Sequence, residues 1–281
     1  MITDNETNTV YFSNLVPEDF PDPFKELNRI IESAGFTVRL LAETYDYYCR
    51  DYMPVQVAEN DFVQFVFRPK AYFEPKQYPE ITNPVLVGLM NNLDAPRYSP
   101  LILDGGNVIK AKHKVIITDR VLKDNMYQFG SEVDIVTQLE KDLRCQVIII
   151  PEYPNELTGH ADGLIRFIDD NTVFINDTYG EPEKEWLRKF LGVLAENALL
   201  HIKLPCPMAG TQISAEGLYL NYLHVENLVI VPQFRMKEDK KALQTFHEIF
   251  GSKYTVIPFN ARWISKYGGV LNCASWTTKN S

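Results

Sequence analysis

The sequence predicts an α/β fold in which five β-β-α-β units stand in a pseudo-symmetric ring, and three observations predict it. Strand-like runs come in pairs joined by polar turns, each pair followed by an amphipathic helix and a third strand. The third runs of three units end at Ile150, Leu204 and Ile257, each followed by proline, at intervals of 54 and 53 residues. Residues able to do chemistry recur with nearly the same period, just ahead of the first strand of each unit. A doubly wound parallel sheet is the competing arrangement, but it does not need a hairpin-type turn after the first strand of every unit.

Taken in order, a partial unit opens the chain with Val10–Phe12. A helix follows, with Asp22 as cap, Pro23 at its first position and Gly35 after its end, and then Phe36–Leu41. It lacks one leading strand, which Leu271–Thr277 supplies to close the ring. The second unit runs Tyr52–Val57, turns at Glu59-Asn60-Asp61, continues in Phe62–Phe67 and ends at Leu103. The third has Asn107–Lys112 and Val115–Asp119, a helix from about Ser131 to Arg144 capped by Ser131 with Asp134, and Gln146–Ile150. The fourth has Leu164–Ile168, a turn at Asp169-Asp170-Asn171, Val173–Asn176, a helix after Pro182 and a strand to Leu204. The fifth has Leu218–Leu223, a turn at Glu226-Asn227, Leu228–Val231, a helix from about Glu238 to near Gly251, and Tyr254–Ile257. The expected organisation is a single domain of five repeats: 9–42 closed by 271–278, then 51–103, 104–151, 160–205 and 216–258. Such a ring turns strand faces to an axis and leaves helices outside.

Bulk composition excludes several classes of function. With 45% apolar and 23% charged residues, the 281-residue chain has the makings of a sizeable core. No apolar run is long enough to span a bilayer, and the first residues carry no basic and apolar leader, so the expectation is a cytoplasmic protein without a membrane partner. Net charge is −9, and the basic cluster Lys237, Lys240 and Lys241 is broken by Glu238 and Asp239, which argues against nucleic acid. Cys49, Cys145, Cys206 and Cys273 are scattered without C-x-x-C spacing, and no two of the five histidines are four apart. No metal and no cofactor is expected.

The periodic residues are Asp51, the run Asp104-Gly105-Gly106-Asn107, His160 with Asp162, Glu216 with Asn221 shortly after, and Cys273. Asp51, Gly106, His160, Glu216 and Cys273 are spaced by 55, 54, 56 and 57 residues. In a ring, all of them fall at one end of the axis. That lifts Cys273 above the ordinary reading of a cysteine as a small buried hydrophobe. A thiol with an ordinary pKa near 8.5 needs a base or a nearby cation, and His160 can serve as either. Several carboxylates in the same cup oppose a thiolate unless a cation sits between them. A guanidinium is such a cation, planar and with donors matched to carboxylates. His160 and Asp162, two apart, would share one face of a strand. No oxyanion hole for acyl transfer is evident.

The ordered set Arg50-Asp51-x-x-Pro54, Asp104-Gly105-Gly106-Asn107, Gly159-His160-x-Asp162 with Arg166-Phe167, Tyr219-x-Asn221, and Gly268-Gly269-x-x-x-Cys273 resembles the agmatine deiminase and bacterial peptidylarginine deiminase family. That family belongs to the guanidine-modifying enzymes of the five-bladed pentein fold. The resemblance implies that Asp51 and Asp162 hold the guanidinium nitrogens. It also implies that His160 protonates the leaving ammonia and later activates water, and that Cys273 attacks the central carbon to give a thiouronium. Asn221 matches a family asparagine of the site, and Asp104, Asn107 and Arg166 join the expected substrate-binding set. Arg166 on a strand also reads as an ion-pair partner. This chain differs at Met53, where the family has Gly, at Asp104, where it has Glu, and at Asn272, where it has His. The implied activity is hydrolytic deimination of a small-molecule or peptidyl guanidino substrate. The alternatives are an amidinotransferase of the same fold and a non-catalytic binding protein of that fold. The oligomeric state is left open.

Overall fold

The computed structural model describes residues 1–69, 81–154, 158–177, 183–207 and 214–280. Among them are five three-stranded sheets, each with an antiparallel pair and a parallel pair sharing a central strand. The first sheet takes its leading strand from the far end of the chain: β1 (Thr9–Ser13) pairs parallel with β2 (Thr37–Leu41) and antiparallel with β15 (Ser275–Thr278). The others follow in sequence: β3 (Val55–Ala58), β4 (Asp61–Val66) and β5 (Arg97–Ile102), then β6 (Ile109–Lys110), β7 (Lys114–Thr118) and β8 (Gln146–Ile150). The last two comprise β9 (Ile165–Phe167), β10 (Thr172–Asn176) and β11 (Leu200–Leu204), then β12 (Leu223–Val225), β13 (Leu228–Gln233) and β14 (Thr255–Asn260). The predicted ring of ββαβ units is the observed architecture.

Each parallel pair is bridged by a helix: α2 (Pro21–Ser33), α4 (Pro84–Met90), α6 (Glu132–Leu143), α7 (Lys184–Glu196) and α8 (Asp239–Phe250). Most central strands read as β-branched or apolar runs, as expected for strands covered on both faces, although β4 carries the buried Gln64. In β7 and β13, Val115, Ile116, Ile117 and Val229, Ile230, Val231 are all fully buried. Ser131 caps α6 as expected: its Oγ accepts from Asp134 N at 3.1 Å and donates to Asp134 Oδ2. Closure of the ring rests on packing as well as on strand pairing. Trp276 sits against Tyr11, with ring centroids 4.7 Å apart, and its indole N–H donates to Pro54 O at 2.8 Å.

Several elements differ from expectation. The first long helix begins at Pro21 rather than Pro23, with Phe20 and not Asp22 before it, because a short helix α1 (Leu15–Asp19) runs directly into it. Pro21 suits the first position as well as Pro23 would. The segment from Tyr52 is not yet strand: α3 (Cys49–Tyr52) is one helical turn, and β3 starts at Val55. A helix α5 (Arg120–Phe129), absent from the sequence reading, packs beside α6. Leu218–Tyr222 is a run of turns, and β12 starts only at Leu223. The final third strand continues past Ile257 to Asn260, and Pro258 is tolerated because β14 is an edge strand. Pro182, expected to precede the fourth helix, lies outside the described residues. No helix among the described residues is long and apolar enough to cross a membrane.

Candidate active site

At one end of the ring, the segments ahead of the first strands come together. Asp51 is carried by α3, Asp104 precedes a 3-10 turn at Gly105–Asn107, and His160 precedes a second one at Ala161–Gly163. His160 and Asp162 are therefore brought together by a tight turn, not by strand alternation as the sequence suggested. Asn221 comes from the turns before β12, and Cys273 lies two residues ahead of β15.

Two contiguous clusters result. In the first, the His160 ring lies between two carboxylates, with Nδ1 3.6 Å from Asp51 Oδ1 and Nε2 3.1 Å from Asp104 Oδ2. Gly106 N donates to the same Asp51 oxygen at 3.0 Å. A Cβ on Gly106 would fall against Asp51 Oδ1 and 2.7 Å from His160 Nδ1, so only glycine leaves these two side chains in place. Asp104 Oδ1 is buried without a hydrogen-bond partner. In the second cluster, the Cys273 thiol donates to Asp162 Oδ2 at 3.2 Å. Asn221 Nδ2 donates to Cys273 Sγ at 3.0 Å and to Asp162 Oδ2 at 3.2 Å. The Asn221 carbonyl accepts from Cys273 N and Val270 N, both at 3.1 Å, which fixes the loop that carries the thiol.

The electrostatics tie the clusters together. Burial pushes the Cys273 thiol well above its usual range, and Asp162 and Asp51 push it further, opposed by the hydrogen bond from Asn221. Burial works to lower the His160 pKa, but Asp51, Asp104 and Asp162 outweigh it and raise it to about 10. Burial raises Asp51 to about 8; the attraction of His160 opposes that shift and the neighbouring carboxylates reinforce it. The cup thus holds its protons tightly and disfavours a thiolate. A bound cation is what would reverse that balance.

Three expected residues sit differently. Asn107 turns its carbonyl oxygen to backbone, accepting from Thr118 N at 3.0 Å and Ala161 N at 3.2 Å, and so holds the His160 turn against β7. The guanidinium of Arg166 is already engaged. It donates to Asp4 Oδ2 at 2.6 Å and to Tyr222 O, and its Cζ lies 4.1 Å from the centre of the Tyr222 ring. The ion-pair reading of Arg166 is the one the structure displays. Glu216 shares the period, but its carboxylate pairs with Arg262 at 3.2 Å, and Asn221 reaches the thiol instead.

The structure adds residues that the motifs did not offer. Tyr48 packs on the thiol loop: its hydroxyl accepts from Gly269 N at 2.9 Å, and a Cβ on Gly269 would come within 2.9 Å of Cys273 Cβ and against the Tyr48 ring. Asp46, whose carboxyl burial raises to about 6, adds to the negative field on Asp51. Asn272, already singled out in the sequence as standing where the family has His, donates from Nδ2 to Asp162 Oδ2 at 2.9 Å. Contacts made across more than 200 residues leave no local signal in the chain, and Tyr48 is of that kind.

The fold and this cup define a pentein-type α/β propeller of the sort found in guanidine-modifying enzymes. An agmatine deiminase from C. jejuni superposes with a TM-score of 0.79 at 19% identity, covering 100% of this chain and 96% of that one. An agmatine deiminase of Enterococcus faecalis superposes with a TM-score of 0.77 at 18% identity, covering 100% and 95%. The chain belongs to the Porphyromonas-type peptidyl-arginine deiminase family, whose model matches residues 5–278. It is 24% identical over 210 residues to an agmatine deiminase of Pseudomonas aeruginosa, an alignment that covers 63% of this chain. The alignments to curated relatives span only 56% and 57% of those relatives' own lengths.

Proposed function

We propose that this protein hydrolyses a guanidino compound to a ureido product and ammonia, with Cys273 as nucleophile and His160 as acid and base. The observation that carries this reading is the pairing of a thiol with a carboxylate at 3.2 Å, at the same end of the ring as a histidine set between two further carboxylates. A guanidinium placed between Asp51 and Asp162 neutralises the charges that hold the Cys273 proton, so the substrate itself favours the thiolate and the thiol proton leaves to solvent. The sulfur then adds to the central carbon. The protonated His160 gives its proton to the departing nitrogen, which leaves as ammonia, and a thiouronium remains. His160, now neutral, takes a proton from water as the water adds to that carbon. The carbon–sulfur bond breaks as the added hydroxyl passes its proton to the sulfur, which releases the ureido product and restores the thiol.

Asp104 supports His160 from the far side of the ring, and its unpartnered Oδ1 is a further acceptor for the substrate or its water. Asn221 holds the thiol, and Asn107 holds the turn that carries His160. The name of the P. aeruginosa relative and a serine variant of the C. jejuni enzyme solved with its substrate bound favour a small guanidino substrate such as agmatine. A cytoplasmic setting belongs to the same reading, since a reducing compartment keeps a catalytic thiol free.

The test is ureido-product and ammonia formation by the purified protein offered agmatine, arginine and a blocked arginyl peptide in parallel, with Cys273→Ala as control. Turnover of one of them that vanishes in the variant is expected. A folded protein that turns over none of the three would overturn the reading for these substrates.

A further inference from the structure

We propose that Asn272 is a positioning residue that holds Asp162 with one carboxylate oxygen spent on the protein and the other, Oδ1, turned to the substrate; this rests on the deiminase reading of the site. Three donors converge on Asp162 Oδ2: Asn272 Nδ2 at 2.9 Å, Asn221 Nδ2 at 3.2 Å and the Cys273 thiol at 3.2 Å. Among the described residues no hydrogen bond reaches Oδ1. The three donors are not equivalent. Asn221 divides its amide between Oδ2 and the sulfur, and the thiol must leave when it becomes the nucleophile. Asn272 makes the shortest of the three bonds, and its amide has no other partner among the described residues.

The backbone of Asn272 is held rigidly enough to aim that amide. Its N–H donates to Asn221 O at 3.1 Å, and its carbonyl accepts from Arg50 Nε at 3.3 Å and Ser275 N at 3.2 Å. The side chain is buried, with 5% of its surface exposed. A hydrogen bond to a charged acceptor in such a place is strong and directional. It fixes the carboxylate plane, so a guanidinium meets a preset oxygen and Asp162 need not reorganise when the thiol proton departs. An amide does not titrate, so this clamp is constant across the working pH range.

The experiment compares wild type with N272A, N272D and N272H in two readouts: kcat and KM for the guanidino substrate, and the pH midpoint of Cys273 alkylation by iodoacetamide, read by mass spectrometry. N272A is expected to lose about ten- to a hundredfold in kcat/KM, chiefly through KM, as for one hydrogen bond to a charged group. Its alkylation midpoint rises, because the freed charge of Asp162 falls on the thiol. N272D raises the midpoint further. N272H, which keeps one N–H donor, recovers part of the loss and brings a new limb into the pH profile near pH ~6.5. An unmoved midpoint in both N272A and N272D, or an unmoved KM in an active protein, overturns the inference. Shifted midpoints in a protein that turns over no guanidino compound would sink the deiminase reading and leave the clamp standing.

Discussion

Asp162 and Cys273 share a hydrogen bond of 3.2 Å, and burial together with this carboxylate holds the thiol in its protonated form. In the proposed mechanism, the carboxylate that receives the substrate is thus the one that suppresses the nucleophile until substrate arrives. D162N separates these two effects. Its Cys273 is expected to alkylate at lower pH than wild type, since a charge that raised the thiol is gone. Deimination is expected to fall on the order of a hundredfold or more, because the guanidinium loses an ionic partner. Slower alkylation in D162N would count against the electrostatic account of this thiol.

The pair His160 and Asp51 makes a pH-dependent contribution to folding. The folded-state pKa of His160, about 10, lies above its ordinary 6.5. Its stabilisation is therefore fully present below 6.5 and is lost as pH rises through about 10. Asp51, raised from 3.8 to about 8, acts in the same sense: the folded state keeps a proton that the unfolded chain has released. The difference in urea midpoint between wild type and H160Q should shrink steadily from pH 6.5 towards 10. A difference that is flat or grows over that window contradicts the assignment.

Gly106 offers a geometric test. In G106A the new methyl lies between Asp51 and His160, where a Cβ would be 2.7 Å from His160 Nδ1. The side chains must part, at a cost of about 1–3 kcal/mol for an overpacked site. Activity should fall by at least tenfold while circular dichroism stays native. Full activity in G106A would show that the distance between these residues is not critical.

Asp4 anchors the N-terminal segment through Arg166. Burial would raise its carboxyl, but Arg166, Lys110 and Arg50 together hold it well below the usual range. Its contribution is present above its ordinary pKa of 3.8 and is lost as the solution is acidified. D4A leaves Arg166 without its carboxylate and is expected to cost about 3 kcal/mol at neutral pH. The deficit should narrow towards pH 3, as followed by thermal denaturation. An equal deficit at both pH values would mean that the loss is one of packing.

The ring was legible because its period is long and regular, and because the central strands are strongly apolar. What escaped the sequence was set by contacts beyond it. The Leu218–Tyr222 stretch is apolar enough for a strand, but it turns so that Asn221 can reach the thiol loop. Helix α5 was missed because its buried side, Val121, Leu122 and Asn125, is short and includes a polar residue whose amide bonds Ile102 N and O. In the cup, Asp51, His160, Asp162 and Cys273 could be read from spacing, as their positions follow the repeat. For Arg166 the ion pair could be read but its partner could not: Asp4 lies 162 residues away, in a stretch that belongs to no repeat.

The pairing of β15 with β1 has a consequence for biosynthesis. The strand partner of β1 is made long after it, and Cys273 sits just ahead of that partner. The first sheet must wait, one side of β1 unpaired, until β15 has emerged. A nascent chain that has not yet reached β15 lacks Cys273, so under the proposed mechanism it gains its nucleophile in the same event that completes the first sheet.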